Sequence, residues 1–215
     1  MMRQSRLLSA MMTGLARPLR PLVGRYPLFF FNRELLGKAD SIFTHMTKEE
    51  KLILFLLARA VPKGGVAVEI GSYLGASSCF LAMGLGKRSG RLYCVDTWLN
   101  ESMAEGPRDT YAEFSGNIEP FRGVITPLRG RSELLGARFK EKISLLFLDG
   151  DHSYEAVHRD FYAWFPHCAD RAVVVLHDCG WAEGVRRVLA EDIRPRAAKW
   201  RHTANMAWAS VRKGA

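Results

Sequence analysis

Short apolar runs alternate with helical patterns throughout residues 66–190, and this alternation limits the possible folds more than any other feature. The runs are continuously apolar, which is typical of strands buried on both faces of a parallel sheet. The predicted strands are Val66–Ile70, Arg91–Val95, Val124–Leu128, Ile143–Leu148 and Ala172–Leu176. The predicted helices are Gly75–Gly86, Arg108–Phe114, Ser132–Phe139, Tyr154–Trp164 and Ala182–Ala190. This order predicts an α/β fold with a doubly wound, mostly parallel sheet.

Elements at both ends extend the alternation. Residues 47–50, Thr-Lys-Glu-Glu, have the spacing of a capping box and predict a helix that runs to about Ala60. Near the other end, Met206–Val211 suits a final strand, and Ala198–Arg201 could pair beside it. The chain has 215 residues, 48% of them hydrophobic, which is enough for one α/β domain with an extension. We assign residues 41–215 to that domain.

Residues 1–40 are predicted to form a basic amphipathic extension. They carry seven Lys and Arg against two acids, and residues 185–215 carry eight against two, so the net charge of +9 lies at the two ends. No apolar run in the extension approaches the roughly 20 residues that a membrane-spanning helix needs. Residues 1–20 could touch an anionic membrane surface peripherally. Phe29, Phe30 and Phe31, in the stretch 26–38, are expected to pack on the core.

The cysteines and the distribution of charge indicate which cellular compartment and which partners to expect. The four cysteines, at positions 79, 94, 168 and 179, include no Cys-x-x-Cys pair. This favours reduced thiols in the cytoplasm over a disulfide framework. Nucleic-acid binding would require Lys and Arg interleaved with aromatic side chains on one face, which residues 185–215 show only loosely. We therefore expect no nucleic acid partner.

The strand predicted at Ile143–Leu148 ends in unusually polar residues, because Asp149, Asp151 and His152 follow it. Open α/β sheets bind ligands beyond the carboxyl ends of their strands, so these side chains are candidates for binding and chemistry. A second interpretation is that Asp151 or Ser153 only caps the helix that follows. Both interpretations stand at this point.

A second polar turn follows the first strand. Gly71 and Gly75 allow a ligand to approach the backbone closely, and the helix start offers free N–H groups. Their Gly-x-x-x-Gly spacing differs from the Gly-x-Gly-x-x-Gly of dinucleotide sites. Asp96 ends the second strand, where a carboxylate can accept both hydroxyls of a ribose. The turn and the acid together predict a nucleoside-bearing cofactor such as S-adenosylmethionine.

Five motifs, in their order along the chain, resemble those of class I S-adenosylmethionine-dependent methyltransferases. They are Val68–Ser77, Val95–Trp98, Arg129–Ser132, Leu146–Tyr154 and Leu176–Asp178. The Asp-Gly-Asp-His-Ser-Tyr sequence within the fourth is similar to that of a small bacterial branch related to catechol-type and sugar O-methyltransferases. The resemblance covers about residues 45–211. It implies a Rossmann-like sheet of seven strands, mostly parallel, whose last strand is antiparallel.

The same resemblance implies that the chain binds S-adenosylmethionine. The residues implied to contact the cofactor are Glu69, Gly71, Tyr73, Ser77, Asp96, Ser132 and Asp149. Of these, Asp96 would bind the ribose, Ser132 would approach the adenine and Glu69 would brace the glycine turn. The methionine end would lie against Gly71, Tyr73 and Ser77.

Metal-dependent relatives hold a magnesium ion with one acid after the fourth strand and two adjacent polar ligands after the fifth. The resemblance puts Asp149, His177 and Asp178 at these positions. Magnesium prefers oxygen ligands, whereas imidazole suits manganese, iron or zinc, so His177 departs from the pattern. A divalent metal and a metal-independent reaction both remain open.

The position of the catalytic base in catechol-type relatives falls on His152, whose unperturbed pKa would be about 6.5. Asp151 would orient His152 or position the substrate; a local role for His152 in its loop is the alternative. These inferences predict a cytoplasmic methyltransferase that acts on a hydroxyl of a small molecule or glycan. The other candidate is a non-catalytic nucleoside-binding or membrane-associated regulatory protein on the same fold. The glycine spacing disfavours a nicotinamide-dependent oxidoreductase.

Overall fold

A computed structural model describes residues 32–101 and 105–213 of the chain. They form one seven-stranded sheet with helices on both faces. The strands are β1 (Val66–Ile70), β2 (Arg91–Asp96), β3 (Ile125–Arg129), β4 (Ile143–Leu148), β5 (Cys168–Leu176), β6 (Ala197–His202) and β7 (Ala207–Val211). The α-helices are α1 (Arg33–Ser41), α2 (Lys48–Ala60), α3 (Ala76–Gly86), α4 (Tyr111–Asn117), α5 (Ser132–Gly136), α6 (Tyr154–Trp164) and α7 (Glu183–Val188). Short 3₁₀ turns at Glu119–Phe121, Phe165–His167 and Arg194–Arg196 and a π-helical turn at Leu189–Ile193 complete the elements.

The strand order in the sheet is β3-β2-β1-β4-β5-β7-β6. The first five strands are parallel, and β7 lies antiparallel between β5 and β6. This confirms the predicted Rossmann-like sheet, including the antiparallel last strand. The chain runs outward from β1 to β3 and then returns to place β4 beside β1. Ligand crevices of open α/β sheets form where the strand order reverses in this way, at the carboxyl ends of β1 and β4.

Helix α2 forms where the capping box predicts it. The Thr47 hydroxyl accepts a hydrogen bond from the backbone N–H of Glu50, at 3.3 Å, and the Glu50 carboxylate accepts one from the N–H of Thr47, at 2.7 Å. Most of α2 is buried because it packs on α3 on one face of the sheet. Lys51 is also buried and donates to Asp40 at the end of α1. Residues 47–49 are exposed, and burial of α2 begins at Glu50.

Three elements, α4, α5 and β5, have a boundary that differs by three or more residues from the predicted one. Helix α4 begins at Tyr111, because Asp109 accepts a hydrogen bond from the N–H of Tyr111, at 2.9 Å. Helix α5 stops at Gly136, where an added Cβ would meet Ala163 and Trp164 of α6 at 3.1 Å. Strand β5 starts at Cys168, and its pairing with β4 shifts register after that residue.

Part of the predicted extension falls within the described residues. Residues 33–41 form α1, whose Leu36 and Ala39 are buried in the main core. Residues 1–20 and Phe29–Phe31, and with them the expected membrane contact and aromatic cap, lie outside the described residues. The division of the chain at residue 40 stays a prediction. Of the helices that the structure describes, none has the length and apolar content needed to cross a membrane.

Helix α7 touches the backbone of the segment that follows β4. A Cβ added to Gly184 would lie 2.4 Å from the amide nitrogen of Tyr154 and 2.5 Å from the carbonyl oxygen of His152. Real Cβ atoms do not approach backbone this closely, so the contact requires glycine at position 184. The loop after β4 therefore packs directly against α7.

We expect Gly184→Ala to lower the free energy of unfolding by about 1–3 kcal/mol, because overpacking against backbone cannot be relieved by a side-chain rotation. Gly37→Ala is the matched control, since Gly37 lies within α1 and an added Cβ there would meet nothing within 4 Å. Better helix propensity should make this control more stable by about 0.5–1 kcal/mol. Urea unfolding measures both changes, and equal changes in the two variants would contradict the contact at Gly184.

Candidate functional site

A crevice opens at the carboxyl ends of β1, β4 and β5. The glycine turn after β1 forms one wall, the segment after β4 forms the floor, and residues 43–46, before α2, form the opposite wall. The polar and glycine residues that line it are Gly71, Ser72, Tyr73, Ser77, Asp149, Gly150, His152, His177 and Asp178. Three polar strand ends that are distant in sequence therefore meet in one place.

The backbones of two strand ends touch at Gly71. Gly71 has φ +83°, and a Cβ there would lie 2.2 Å from the carbonyl oxygen of Asp149. The amide of Gly71 donates to Val95 at the end of β2, and the amide of Asp149 donates to Ile70 of β1. These contacts fix the turn directly against the first residue after β4.

Glu69 lies under this turn and is fully buried. Its carboxylate accepts hydrogen bonds from the hydroxyls of Ser72, at 2.9 Å, and Ser78, and from the thiol of Cys94 at 3.3 Å. Burial raises the pKa of Glu69, and these donors oppose the rise. Glu69 thus joins the glycine turn, α3 and β2 through hydrogen bonds, and its role in bracing a bound cofactor stays a prediction.

Asp96 joins the end of β2 to the same turn. Its Oδ2 accepts from the backbone N–H groups of Ser72 and Tyr73, at 2.8 and 2.9 Å, and its Oδ1 accepts from that of Trp98 at 2.7 Å. A carboxylate has about four acceptor positions, so one remains after these three bonds. Ribose binding by Asp96 stays a prediction, and the structure adds a second role in holding the turn.

Ser132 and Asp151 have local partners. The Ser132 hydroxyl, at the start of α5, accepts a hydrogen bond from the indole N–H of Trp164 at 2.8 Å, and Ser132 is not among the residues that line the crevice. Asp151 is exposed and accepts from the N–H of Ser153 at 2.7 Å, while Ser153 caps α6. The capping interpretation therefore holds for this pair of residues. The predicted roles of Ser132 at adenine and of Asp151 in catalysis remain predictions.

His152 faces the crevice and pairs with an acid from the next strand. Its Nε2 lies 2.8 Å from Asp178 Oδ2, so the carboxylate that faces the imidazole is Asp178 rather than Asp151. The hydrogen bond to Asp178 raises the pKa of His152 and exceeds the opposing effect of burial. Burial would raise the pKa of Asp178, but the bonds from His152 and His177 hold it far below its usual range.

Behind this pair, the buried ring of His177 lies among three carboxylates. Its Nδ1 is 3.1 Å from Asp149 Oδ1 and 3.3 Å from Asp178 Oδ2, and its Nε2 is 3.4 Å from Glu50 Oε1. Burial alone would lower the pKa of His177, but the three carboxylates outweigh it and raise that pKa to about 12. The surrounding acids thus favour the positively charged form of His177, and both crevice acids contact its Nδ1.

The acids and histidines of the crevice are candidate ligands for a metal ion. Within residues 32–101 and 105–213, ligand atoms of Asp149, His152 and Asp178 lie within 4.8 Å of one another, whereas the predicted set has His177 in place of His152. Asp178 Oδ1 accepts hydrogen bonds from Trp181 and Asn205, at 2.8 and 2.9 Å. Its Oδ2 lies 2.8 Å from His152 Nε2 and 3.3 Å from His177 Nδ1, which is also 3.1 Å from Asp149 Oδ1. Each oxygen of Asp178 thus already has two nitrogen neighbours, and a divalent ion does not fit unless one of them leaves. None of the steps proposed below uses a metal.

Two contributions to the site escaped the sequence analysis. Glu50 reaches the crevice acids through His177, although its place in a capping box already accounted for its type. Phe43 is 57% exposed and lines the crevice. An exposed aromatic residue has no periodic signal in a sequence, so only the structure reveals it. Trp181, whose sequence position allows it to wall the acceptor pocket, is 61% exposed and lies against the ring of His152.

Comparisons with known proteins agree with this fold. A family model described as a methyltransferase domain matches residues 68–179. The uncharacterised protein y4gI of Sinorhizobium fredii (strain NBRC 101917 / NGR234) is 30% identical over 115 residues, which are 52% of this chain and only 13% of that protein. The chain therefore spans a small part of this relative's length.

Two solved structures are similar over most of the chain. Cofactor-bound Rv0187 from MTB has a TM-score of 0.66 and 19% identity, and the match covers 93% of this chain and 96% of that one. The O-methyltransferase TomG from Streptomyces achromogenes, involved in tomaymycin synthesis and solved in complex with S-adenosylmethionine, has a TM-score of 0.64 and 18% identity. That match covers 85% of this chain and 91% of TomG. At these identities the likeness establishes the fold.

Asp160, on α6, lies beside the segment that follows β4. Its Oδ2 is 3.6 Å from the point that a Cβ on Gly150 would occupy. Burial raises the pKa of Asp160 to about 6, although a hydrogen bond with Ser132 lowers it. An aspartate in an unfolded chain has a pKa of about 3.9. Between these two values, the folded protein binds this proton more tightly than the unfolded chain does.

The stability that Asp160 contributes is therefore complete below about pH 4 and is lost as the pH rises to about 6. Asp160→Asn keeps an acceptor for Ser132 and removes the buried charge. We expect this variant to be more stable than the parent by on the order of 2 kcal/mol at neutral pH, and by little at pH 4. Urea unfolding across this range, with Asp170→Asn on the exposed start of β5 as control, measures the difference. A difference that does not change with pH would contradict this account.

Proposed function

The chain belongs to the family of methyltransferase domains, and we propose that it transfers the methyl group of S-adenosylmethionine to a hydroxyl oxygen of a small molecule or glycan. Its fold is that of the class I S-adenosylmethionine-dependent methyltransferases. One observation carries the proposal: the glycine turn after β1 and the His152–Asp178 pair face the same crevice. A cofactor surface and a base therefore adjoin each other.

The glycine turn suits a bulky, polar cofactor. No side chain caps α3, whose N-cap Gly75 has φ +89°, so its first N–H groups remain for a ligand. Gly71, Tyr73 and Ser77, which line this side of the crevice, are proposed to contact the methionine end. Asp96, bonded to the backbone of the same turn, is proposed to accept the ribose hydroxyls with its remaining capacity.

The His152–Asp178 pair has the arrangement that a general base needs. When bound, S-adenosylmethionine supplies an electrophilic methyl group on a positively charged sulfur. Asp178 accepts a hydrogen bond from Nε2–H of neutral His152, so Nδ1 carries no proton and can take the proton of the acceptor hydroxyl. The acceptor oxygen would bond to the methyl carbon as the carbon–sulfur bond breaks, with the electron pair remaining on sulfur and the hydroxyl proton passing to His152.

The presence of a base favours oxygen over nitrogen as the acceptor atom. A hydroxyl must lose its proton as it is methylated, whereas a neutral amine has a free electron pair and attacks without prior help. TomG, which shares the fold, is an O-methyltransferase. The exposed rings of Phe43 and Trp181 at the crevice suit an acceptor with a flat ring face, as phenols and sugars have. Trp181 also lies edge-on to His152, with ring centroids 4.9 Å apart.

We expect Asp96→Ala to weaken S-adenosylmethionine binding by about 10- to 100-fold or more, because it removes charge-assisted hydrogen bonds to the turn and to the ribose. Isothermal titration calorimetry with the cofactor measures the loss. Asp170→Ala, at the opposite end of β5, is the control and should bind normally. Unchanged affinity in Asp96→Ala would remove Asp96 from the cofactor site.

We expect His152→Ala to lower turnover by about 10²- to 10⁴-fold, the usual contribution of a general base, with cofactor affinity changed by less than about threefold. The assay is an acceptor screen with methyl-labelled cofactor over phenols, sugars and amines, followed by kinetics on the best acceptor. His202→Ala, on the edge strand β6, is the control. Parallel losses of turnover and cofactor affinity would instead indicate a structural role for His152.

A further inference from the structure

The ring of His177 is enclosed by carboxylates that come from three separate elements. Asp149 follows β4, Asp178 follows β5, and Glu50 belongs to α2. The side chains of His177 and Glu50 are only 4% and 5% exposed. Each ring nitrogen therefore faces an acid in a place that bulk water does not reach. A buried carboxylate is costly without a positive partner, and an imidazolium with an N–H on each side matches this arrangement. The contact of Nε2 with Glu50, at 3.4 Å, is an ion-pair distance and does not meet hydrogen-bond geometry.

We propose that the Glu50–His177 pair occupies the place that a divalent cation would otherwise take between Asp149 and Asp178, and that Glu50 is a positioning residue for methyl transfer. The second part of this proposal rests on the function proposed above. The first part says only that His177, and not a metal ion, lies between the two carboxylates, and it does not depend on that function.

The contacts of the two crevice acids indicate that His177 takes the place of a cation between them. Asp149 Oδ1 and Asp178 Oδ2 are the atoms nearest to His177 Nδ1, and the same two acids belong to the only group of three clustered ligand atoms in residues 32–101 and 105–213. Two carboxylates this close repel each other unless a positive group lies between them. His177 supplies that group, so Asp178 keeps the position in which it also contacts His152.

Glu50 holds the ring from the other side. Its Oε2 accepts from the N–H and hydroxyl of Thr47, at 2.7 and 2.8 Å, so its orientation is fixed by the capping box. Its second oxygen, Oε1, is the one that faces His177 Nε2. The Glu50 carboxylate thus caps α2 with Oε2 and contacts His177 with Oε1. A substitution can remove one of these contacts and keep the other.

The first test is a titration of the chelator-treated full chain with Mn²⁺, followed by calorimetry or by the electron paramagnetic resonance of free Mn²⁺. We expect no stoichiometric binding by the parent protein. His177→Asp removes the imidazole and adds an oxygen ligand beside Asp178, so it should bind one Mn²⁺ at least about 10-fold more tightly than the parent. Adding Asp149→Asn to that variant should abolish the gain.

Two outcomes would overturn the occupancy proposal. One is a parent protein that binds a single Mn²⁺ ion in a manner weakened by Asp149→Asn. The other is a folded His177→Asp variant that binds no more Mn²⁺ than the parent does. Circular dichroism and urea unfolding establish whether the variant is folded. These binding results do not depend on activity, so they stay informative if no acceptor is found.

The second test compares Glu50→Gln with Thr47→Ala and covers the case in which His177→Asp does not fold. Glu50→Gln can still accept from Thr47 but removes the carboxylate from His177, whereas Thr47→Ala removes only the Thr47 hydroxyl and keeps the backbone N–H bond that holds the Glu50 carboxylate in place. We expect Glu50→Gln to lower kcat by at least about 10-fold with KM for the cofactor nearly unchanged, and Glu50→Asp to restore part of the loss. Thr47→Ala should lose stability alone. Equal kcat in Glu50→Gln and the parent would overturn the positioning role.

Discussion

The site depends on the contact between two backbones, that of Gly71 after β1 and that of Asp149 after β4. No side chain separates them, since a Cβ at position 71 would overlap the Asp149 carbonyl. Neighbouring hydrogen bonds from Gly71 to Val95 and from Asp149 to Ile70 tie β1, β2 and β4 together at this level. The turn proposed to hold the cofactor and the acids of the proposed reaction centre thus take their spacing from the paired strands of the sheet.

Charge balance is the second constraint on the crevice. Three acids and two imidazoles lie in contact, and most of them are at least partly shielded from water. Each acid has at least one imidazole N–H beside it, and Asp178 has two together with the side chains of Trp181 and Asn205. Such a network is stable only while every member keeps its partner, because an unpaired buried charge costs several kcal/mol (roughly 3–5). A single substitution in it is therefore expected to disturb more than one residue.

The alternation of strands and helices was enough to predict the fold, because a parallel sheet with continuously apolar strands leaves few other arrangements. It also placed Asp96, Asp149 and His152 at strand ends, where ligands bind. The acid that pairs with His152 was harder to predict. His152 faces Asp178, not the nearby Asp151, for two reasons: β4 and β5 are neighbours in the sheet, and Asp151 turns toward the N–H of Ser153. Glu50 was missed because a helix cap already explained its presence.

The shared carboxylate of Glu50 joins local helix stability to the assembly of the reaction centre. Fraying of the first turn of α2 would withdraw Oε1 from His177, because the same side chain closes the helix through Oε2. Opening of this helix end therefore costs the contact with His177 as well as the cap. By thermodynamic linkage, any ligand that binds only the assembled crevice slows hydrogen exchange of amides in the first turn of α2, although that turn lies outside the strand-end motifs.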